Sequence, residues 1–497
     1  MPDGLKYSRP LATANRLSDQ AEDVSRFIDK RVLLTGETYA LAFQNGQDCV
    51  LNALRLLVRI CADVSVFLPK ASAGFVATVR HEAKRIEPTV KFLDDEPDLR
   101  QFDAILSVGS KMRPELPWTV INSNGWLARV SSVSSDVPAE VDQSNPIAAL
   151  AAASFGVSEV FKRLIRLKEQ RGRFFDGLNF SFFTYSAEEK DLGPPLPTEI
   201  DIDLLLVGVG AIGNGVVHLL NRLPVAGKIT IVDSQRYGSE NFGTCLLIGP
   251  DEIHKAKALF ALEVLESKLA TQYFTEEFSK FSKRLGTEVP FPRVSLNAVD
   301  NIETRREIQR ELWSDVVIDG AIGEFSCQAS RHAWGEDVAC LICLFPEPEG
   351  EPAELVASRA TGLVPSRTRD AEATVCDEDV RNAPAEKRDW LRKRIGKRIC
   401  SVVQEAVAQS ISEEKLREGF QPSVPFVACL SSCMMVGELI RSTSQPSTAF
   451  EPRFQFDVLR GPHYGQEFPQ GRRHDCICVT RRENIERVRT SRSQLAS

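Results

Sequence analysis

Three glycines of the segment GVGAIG, Gly208, Gly210 and Gly213, stand at G-x-G-x-x-G spacing between the apolar run LLLV and a stretch of helical pattern. Glycine suits such a turn because the backbone must bend sharply and approach phosphate oxygens with no Cβ in the way. The helix that follows then offers unpaired amides to the negative charge. Asp233 ends the next apolar run, KITIVD, twenty residues after Gly213, where its carboxylate can accept hydrogen bonds from ribose hydroxyls. The pattern fits NAD as well as ATP, but no acid/base pattern for hydride transfer accompanies it. Cysteine is the other residue type that bears chemistry. Twelve are present without a secretory signal, which points to a reducing cytosol where thiols serve metals or catalysis rather than disulfides.

The elements that must position these residues read as α/β. From Arg31, β-like runs (RVLLTG, SVFLP, FDAILSVGS, WTVINSN) alternate with helical ones such as CVLNALRLLVRICADV and NPIAALAAASFGVSEVFKRLIRL. This is the rhythm of a mostly parallel sheet. No glycine-rich loop follows RVLLTG, so residues 1–185 read as a nucleotide-binding fold without its phosphate grip. The acidic, proline-rich stretch 186–200 marks a linker, and a second α/β unit with the glycine loop spans 201–346. Charged helical sequence dominates 347–425, read as an inserted subdomain, and 426–497 completes the second unit. The two units form a weak internal repeat. At 497 residues with 43% apolar and 26% charged residues the chain is a multi-domain globular protein. Its net charge of −7 argues against a nucleic-acid-coating surface. The start has no signal-peptide core and no run approaches a membrane span, so the expectation is a cytoplasmic protein with no nucleic acid and no membrane partner.

Beyond Asp233 the segments IVDSQRYGSEN, IHKAKALFALEVL, LNAVDNIETRRE, VVIDGAIG and ACLICLFPEPEG follow in order. This succession resembles the ThiF/MoeB/HesA and ubiquitin-activating enzyme family over roughly residues 200–345, and again at FVACLSSCMMVGELIRS. The resemblance implies an ATP site built from Gly208, Gly210, Gly213, Asp233, Asn241, Lys257, Asp300 and Asn301, with Arg305 in the same element. Attack of a carboxylate on the α-phosphate makes an acyl-adenylate and expels pyrophosphate, so charge must be neutralised on both sides. Lys257 suits the phosphates and Asp300 suits a bridging Mg²⁺. One departure stands out. The family shows N-x-x-R-Q where this chain reads Asn241-Phe-Gly-Thr244-Cys245. A phosphate-binding arginine is missing at Thr244, and Arg236 or Arg305 could substitute. In the family another arginine, in a Y-x-R motif, reaches the γ-phosphate from a partner fold. KYSRP puts Arg9 in a similar setting, as a catalytic residue beside Lys257.

Ubiquitin-activating enzymes pair an active adenylation fold with an inactive one, whereas sulfur-carrier adenylyltransferases pair two active ones. A first unit without a phosphate loop looks like the inactive half. The expected fold is therefore two Rossmann-like adenylation folds, N-terminal inactive and C-terminal active, with a helical cysteine-bearing insertion. The resemblance also places half of a structural zinc site at Cys340 and Cys343. DCICV offers Cys476 and Cys478 as the other half, with His474 as a fallback ligand. A thiol that captures the adenylate should lie in the insert and ionise easily. Cys400 follows Lys397 and Arg398, which favour the thiolate, while carboxylates surround Cys376. Cys400 is the expected nucleophile, and Cys429 and Cys433 are expected core residues.

The implied function is ATP-dependent activation of the C-terminal carboxylate of a ubiquitin-like protein ending in glycine, with thioester formation and transfer to a conjugating enzyme. Bacterial systems of this resemblance are linked to such conjugation and to antiviral defence. Two alternatives stay open: a sulfur-carrier adenylyltransferase with no cysteine nucleophile, and a non-catalytic binder of a ubiquitin-like protein.

Overall fold

Runs of Val, Ile and Leu with both faces apolar build parallel strands that must be covered on both sides, and the chain makes two such sheets. The computed structural model describes all residues except 1–5, 18–25, 70, 188, 324, 347–352, 369–372, 400, 404, 407–422, 445–452, 469–470 and 497. The first sheet contains β1 (Arg31–Gly36), β2 (Asp63–Phe67), β3 (Lys91–Phe92), β4 (Ala104–Val108), β5 (Trp118–Asn124), β6 (Leu127–Ser131) and β7 (Leu178–Ser181). The second contains β8 (Ile200–Val207), β9 (Val225–Val232), β10 (Ala270–Phe274), β11 (Val294–Asn297), β12 (Val316–Ile322), β13 (Ser326–Ala333), β14 (Arg453–Asp457) and β15 (Gln466–Glu467).

The first sheet runs β3-β2-β1-β4-β5-β6-β7, parallel as far as β5 and antiparallel beyond it. The second runs β10-β9-β8-β11-β12-β13-β14-β15, parallel as far as β12 and antiparallel beyond it. Renumbered from its own first strand, each sheet reads 3-2-1-4-5-6-7, and the second adds an eighth strand, β15, at its edge. The repeat that is faint in sequence is thus plain in topology. In such a sheet the chain leaves in opposite directions from strands 1 and 4, opening a crevice at their carboxyl ends where ligands bind. Those strands are β1 and β4 in one sheet, β8 and β11 in the other.

The helices used below are α1 (Ser8–Asn15), α2 (Gln44–Leu57), α3 (Pro146–Leu164), α4 (Ala211–Arg222), α5 (Lys257–Leu265), α6 (Ile302–Leu312), α7 (Pro425–Ser444) and α8 (Arg482–Ala496). α3 and α7 lie buried between the sheets, and α7 packs on α3, α4, β12 and β13. Cys429 and Cys433 are buried in α7. A seam of rings joins the sheets: Phe155 lies 5.9 Å from Phe175 and 6.0 Å from Phe456, and Phe180 lies 6.0 Å from Phe454, centroid to centroid. α7 corrects one expectation. Pro425–Thr443 is by length and composition long and apolar enough to cross a membrane, yet 89% of that window is buried inside the protein.

The chain forms two compact units, Met1–Phe345 with Pro422–Ser497, and Pro346–Gln421. Both sheets belong to the first. The stretch 186–200 packs closely along the first sheet: Trp126, 1% exposed, donates its backbone amide to Leu192 O and its indole Nε1–H to Pro194 O, both at 2.8 Å. The second unit is helical, with Ala353–Thr361, Pro365–Thr368, Asp377–Asn382 and Ala385–Arg392, around Leu363, Val375, Val380, Leu391 and Ile399.

Candidate nucleotide site and cysteine cluster

The glycine loop leaves β8 at Gly208, whose φ of +90° only glycine adopts without strain. A Cβ there would stand 2.7 Å from Ala298 O, so the loop lies against the end of β11. At Gly213 a Cβ would stand 2.0 Å from Gly208 O, which fixes glycine in the first turn of α4. Gly210 caps α4 with nothing within 4 Å of where its Cβ would be. That open space is where a phosphate can approach.

Asp233, at the end of β9, braces this loop. Its Oδ2 accepts from Val209 N at 2.7 Å and its Oδ1 from Gln235 N at 2.8 Å. Burial pushes its carboxyl up, while Lys257 and the two amides pull it down and Asp300 adds a small upward push. The charges of Asp233, Lys257 and Asp300 are therefore gathered around one crevice. Lys257 opens α5 and is 5% exposed, with Nζ 2.7 Å from Gln235 Oε1. No carboxylate pairs with it among the described residues. Asp300 is exposed on the loop after β11 and has no hydrogen-bond partner among the described residues.

Other expected residues sit close by with structural duties. Asn241 Oδ1 accepts from Gly238 N at 2.9 Å, and Asn301 Oδ1 caps α6 by accepting from Thr304 N at 2.7 Å. Arg305 is not available to replace the missing arginine. Its Nε reaches Asp319 Oδ1 and Oδ2 at 2.9 and 3.1 Å, and its Nη2 reaches Val299 O and Gly320 O at 2.6 and 3.1 Å. Burial lifts the Asp319 carboxyl to about 6 against the pull of this guanidinium, and the pair holds the loop that carries Asp300. Arg236 donates to His254 O at 2.9 Å. Arg9, half-buried on α1, lies near the departure itself. A Cβ on Gly243 would meet Pro10 Cδ at 2.9 Å, so α1 rests on the 242–244 loop, and Arg9 helps pull down the Cys245 thiol that burial raises.

Two residues beyond the sequence reading tie the site together. Tyr237 Oη accepts from Asn214 Nδ2 at 3.0 Å and donates to Val209 O at 3.1 Å, and Asn214 Oδ1 accepts from Leu247 N at 2.7 Å. The signal for Asn214 is an amide side chain on the apolar face of α4, which must find buried partners.

The crevice of the first sheet is built differently. Glu37, the residue after β1, turns its carboxylate onto the amides beyond β4: Oε1 accepts from Ser110 N at 3.2 Å and Lys111 N at 2.9 Å. A Cβ on Gly109 would meet the Glu37 carboxyl carbon at 2.5 Å. A protein carboxylate therefore sits in the crevice of the first sheet, on the amides beyond β4.

Cys340, Cys343, Cys476 and Cys478 come together, with their sulfurs within 4.8 Å of one another. Sγ of Cys340 lies 3.8 Å from that of Cys343 and 3.6 Å from that of Cys476, and Cys343 lies 3.5 Å from Cys478. Tetrahedral zinc with Zn–S of about 2.3 Å sets its sulfurs about 3.8 Å apart, so the set fits such an ion. Arg473 N–H points at Cys343 Sγ at 3.4 Å, and His474 is exposed and outside the set. In the second unit Cys400 lies outside the described residues. Cys376 is exposed, the only such thiol among the described cysteines, and its S–H donates to Asp379 Oδ2 at 3.3 Å.

A model of the ThiF family matches residues 201–478, from the start of β8 to the last of the four cysteines. An uncharacterized protein, y4jF, of Sinorhizobium fredii is 25% identical over 358 residues, 67% of this chain and 66% of that protein. The chain thus spans a little under two thirds of that relative's length. Among solved structures, E. coli MccB with ATP gives a TM-score of 0.36 at 14% identity over 56% of this chain and 67% of that chain. E. coli MccB with succinimide gives 0.36 at 12% identity over 56% and 66%. The family match takes in more than half of this chain and encloses the glycine loop, Lys257, Asp300 and the cysteine cluster, and on that match the chain belongs to the ThiF family.

Proposed function

We propose that this chain uses ATP to adenylate the C-terminal carboxylate of a ubiquitin-like protein ending in glycine, then takes the acyl group onto a cysteine as a thioester. The observation that carries the reading is Lys257, a buried ammonium beside the glycine loop whose hydrogen-bond partner is a neutral amide. A buried cation with no carboxylate in hydrogen-bond contact is stabilised further by an anion that arrives from outside.

In the reaction a carboxylate oxygen attacks the α-phosphorus, the Pα–O–Pβ bond breaks, and pyrophosphate leaves. Lys257 and the amides at the start of α4 offset the charge on the phosphates, and Arg9 adds a cation from α1. The exposed Asp300 would hold magnesium, which when bound draws charge from the leaving phosphates. A thiolate then attacks the acyl carbonyl, a C–S bond forms, and AMP departs. The crevice filled by Glu37 supports an asymmetric pair of folds, and so supports conjugation over the sulfur-carrier alternative. Cys340, Cys343, Cys476 and Cys478 would hold zinc as a structural ion, and a conjugating enzyme would receive the acyl group.

Cys400, which follows Lys397 and Arg398, is the proposed nucleophile. A non-reducing gel of protein, carrier and ATP should show an adduct that reducing agent cleaves. Cys400→Ala should lose it and keep pyrophosphate exchange, while Cys376→Ala should keep both. The opposite pattern would move the nucleophile to Cys376. Active exchange with no adduct in the unmutated chain would favour the sulfur-carrier reading.

A further inference from the structure

Arg59 follows α2 in the first α/β fold, yet its side-chain hydrogen bonds all lie in the second. Its Nη1 donates to Phe242 O at 2.6 Å, and its Nη2 donates to Leu246 O and Ile248 O, both at 2.8 Å. The guanidinium also stacks on the Phe242 ring, 4.5 Å from its centroid. The side chain is fully buried, with no carboxylate partner, and Nε has no acceptor among the described residues. Burial lowers its pKa to about 10, so it stays charged at neutral pH.

A buried charge is normally paired, because desolvation without a counter-charge costs several kcal/mol. This one is held by three carbonyl dipoles. All three belong to the loop that follows Asn241 and contains Thr244, the position that departs from the arginine of the resemblance. The same loop is tied to the glycine loop through Leu247 N, Asn214 and Tyr237. Arg59 therefore acts on the phosphate crevice in two ways. It fixes the path of residues 242–248, and it sets a positive charge against their carbonyls.

We propose that Arg59 is a positioning residue for nucleotide binding, through which the first fold supplies the positive charge that the second lacks at Thr244. The inference rests on the nucleotide reading above and deepens it. The effect belongs to the phosphates, so it should fall on ATP and spare adenosine.

The test is calorimetric binding of ATP and of adenosine to the full chain, to Arg59→Lys and to Arg59→Met. Arg55→Met is the control, a half-buried arginine of α2 that pairs with Glu82 and reaches His218 instead of the loop. Arg59→Lys keeps the charge but replaces the fork with a point donor, so it is the variant suited to folding normally. ATP affinity should fall about tenfold in Arg59→Lys and further in Arg59→Met. Adenosine affinity should change little, and amide exchange should rise across 242–248. Arg55→Met should bind ATP like the unmutated chain. Unchanged ATP affinity in Arg59→Lys would overturn the proposal, as would an equal loss for ATP and adenosine. If the unmutated chain binds no ATP, the nucleotide reading itself falls, and this proposal falls with it.

Discussion

Lys257→Ala should lower ATP–pyrophosphate exchange by about 10²- to 10³-fold, the range typical of removing one preorganised charge from a reacting group. The side chain is placed for this effect. It starts α5, its own amide donates to Gln235 O at 3.0 Å, and its Nζ is held by Gln235 Oε1. The ammonium is therefore oriented before any nucleotide arrives. Removing it deletes no salt bridge among the described residues, so stability should fall by only about 1 kcal/mol. Asp300→Ala should cut exchange comparably with even less effect on stability, because that carboxylate is exposed and makes no hydrogen bond among the described residues. Exchange assays run beside thermal melts separate the two effects. Near-normal exchange in both variants would remove the nucleotide-site assignment.

The second large effect concerns the cysteine cluster. One zinc ion per chain should co-purify, and the double variant Cys340→Ser/Cys343→Ser should lose it. Four thiolates this close repel one another, and a divalent cation is what lets all four ionise together. Zinc bound by four cysteines commonly contributes on the order of 10 kcal/mol to the fold around it, so its loss is felt locally. Trp313, Trp334 and Ile485 cluster with the sulfurs. Farther on, Arg489 and Arg492 of α8 tie the tail to Asp315 and Leu312. Loss of metal should expose the tryptophans, red-shift their fluorescence and open the tail to protease. Elemental analysis that finds no zinc, or finds it retained in the double variant, would rule out the site.

The glycine loop was legible in the sequence because its requirements are local: a positive φ at Gly208 and no room for a Cβ at Gly213. The four-cysteine set was legible because the resemblance places half of a zinc site at Cys340 and Cys343, and a second close pair follows, even though Cys476 stands 133 positions beyond Cys343. What stayed hidden depends on contacts distant in sequence. Arg305 reads as a spare cation until Asp319 is placed beside it. Asn214 and Tyr237 carry no motif, and their roles emerge only when α4 meets the 242–248 loop. Glu37 reads as an ordinary acidic residue after a strand, and only the register of β1 against β4 brings it onto the amides of residues 110 and 111. Composition marked 186–200 as a linker, but tryptophan packing decided its place, because the buried Trp126 must satisfy its N–H groups and that segment supplies the carbonyls. The shared strand order of the two sheets likewise survives where sequence likeness has faded, since buried strands accept many apolar sequences.

The most direct test of the proposed activity is ATP–pyrophosphate exchange with the unmutated chain and a ubiquitin-like protein that ends in glycine. The assay compares the intact carrier with the same carrier lacking its terminal glycine. Exchange should require the intact carrier and should disappear with the truncated one, because the attacking group is the terminal carboxylate and its reach into the crevice is fixed. Exchange that proceeds equally with the truncated carrier, or that never exceeds the rate without carrier, would contradict the activity proposed for this chain.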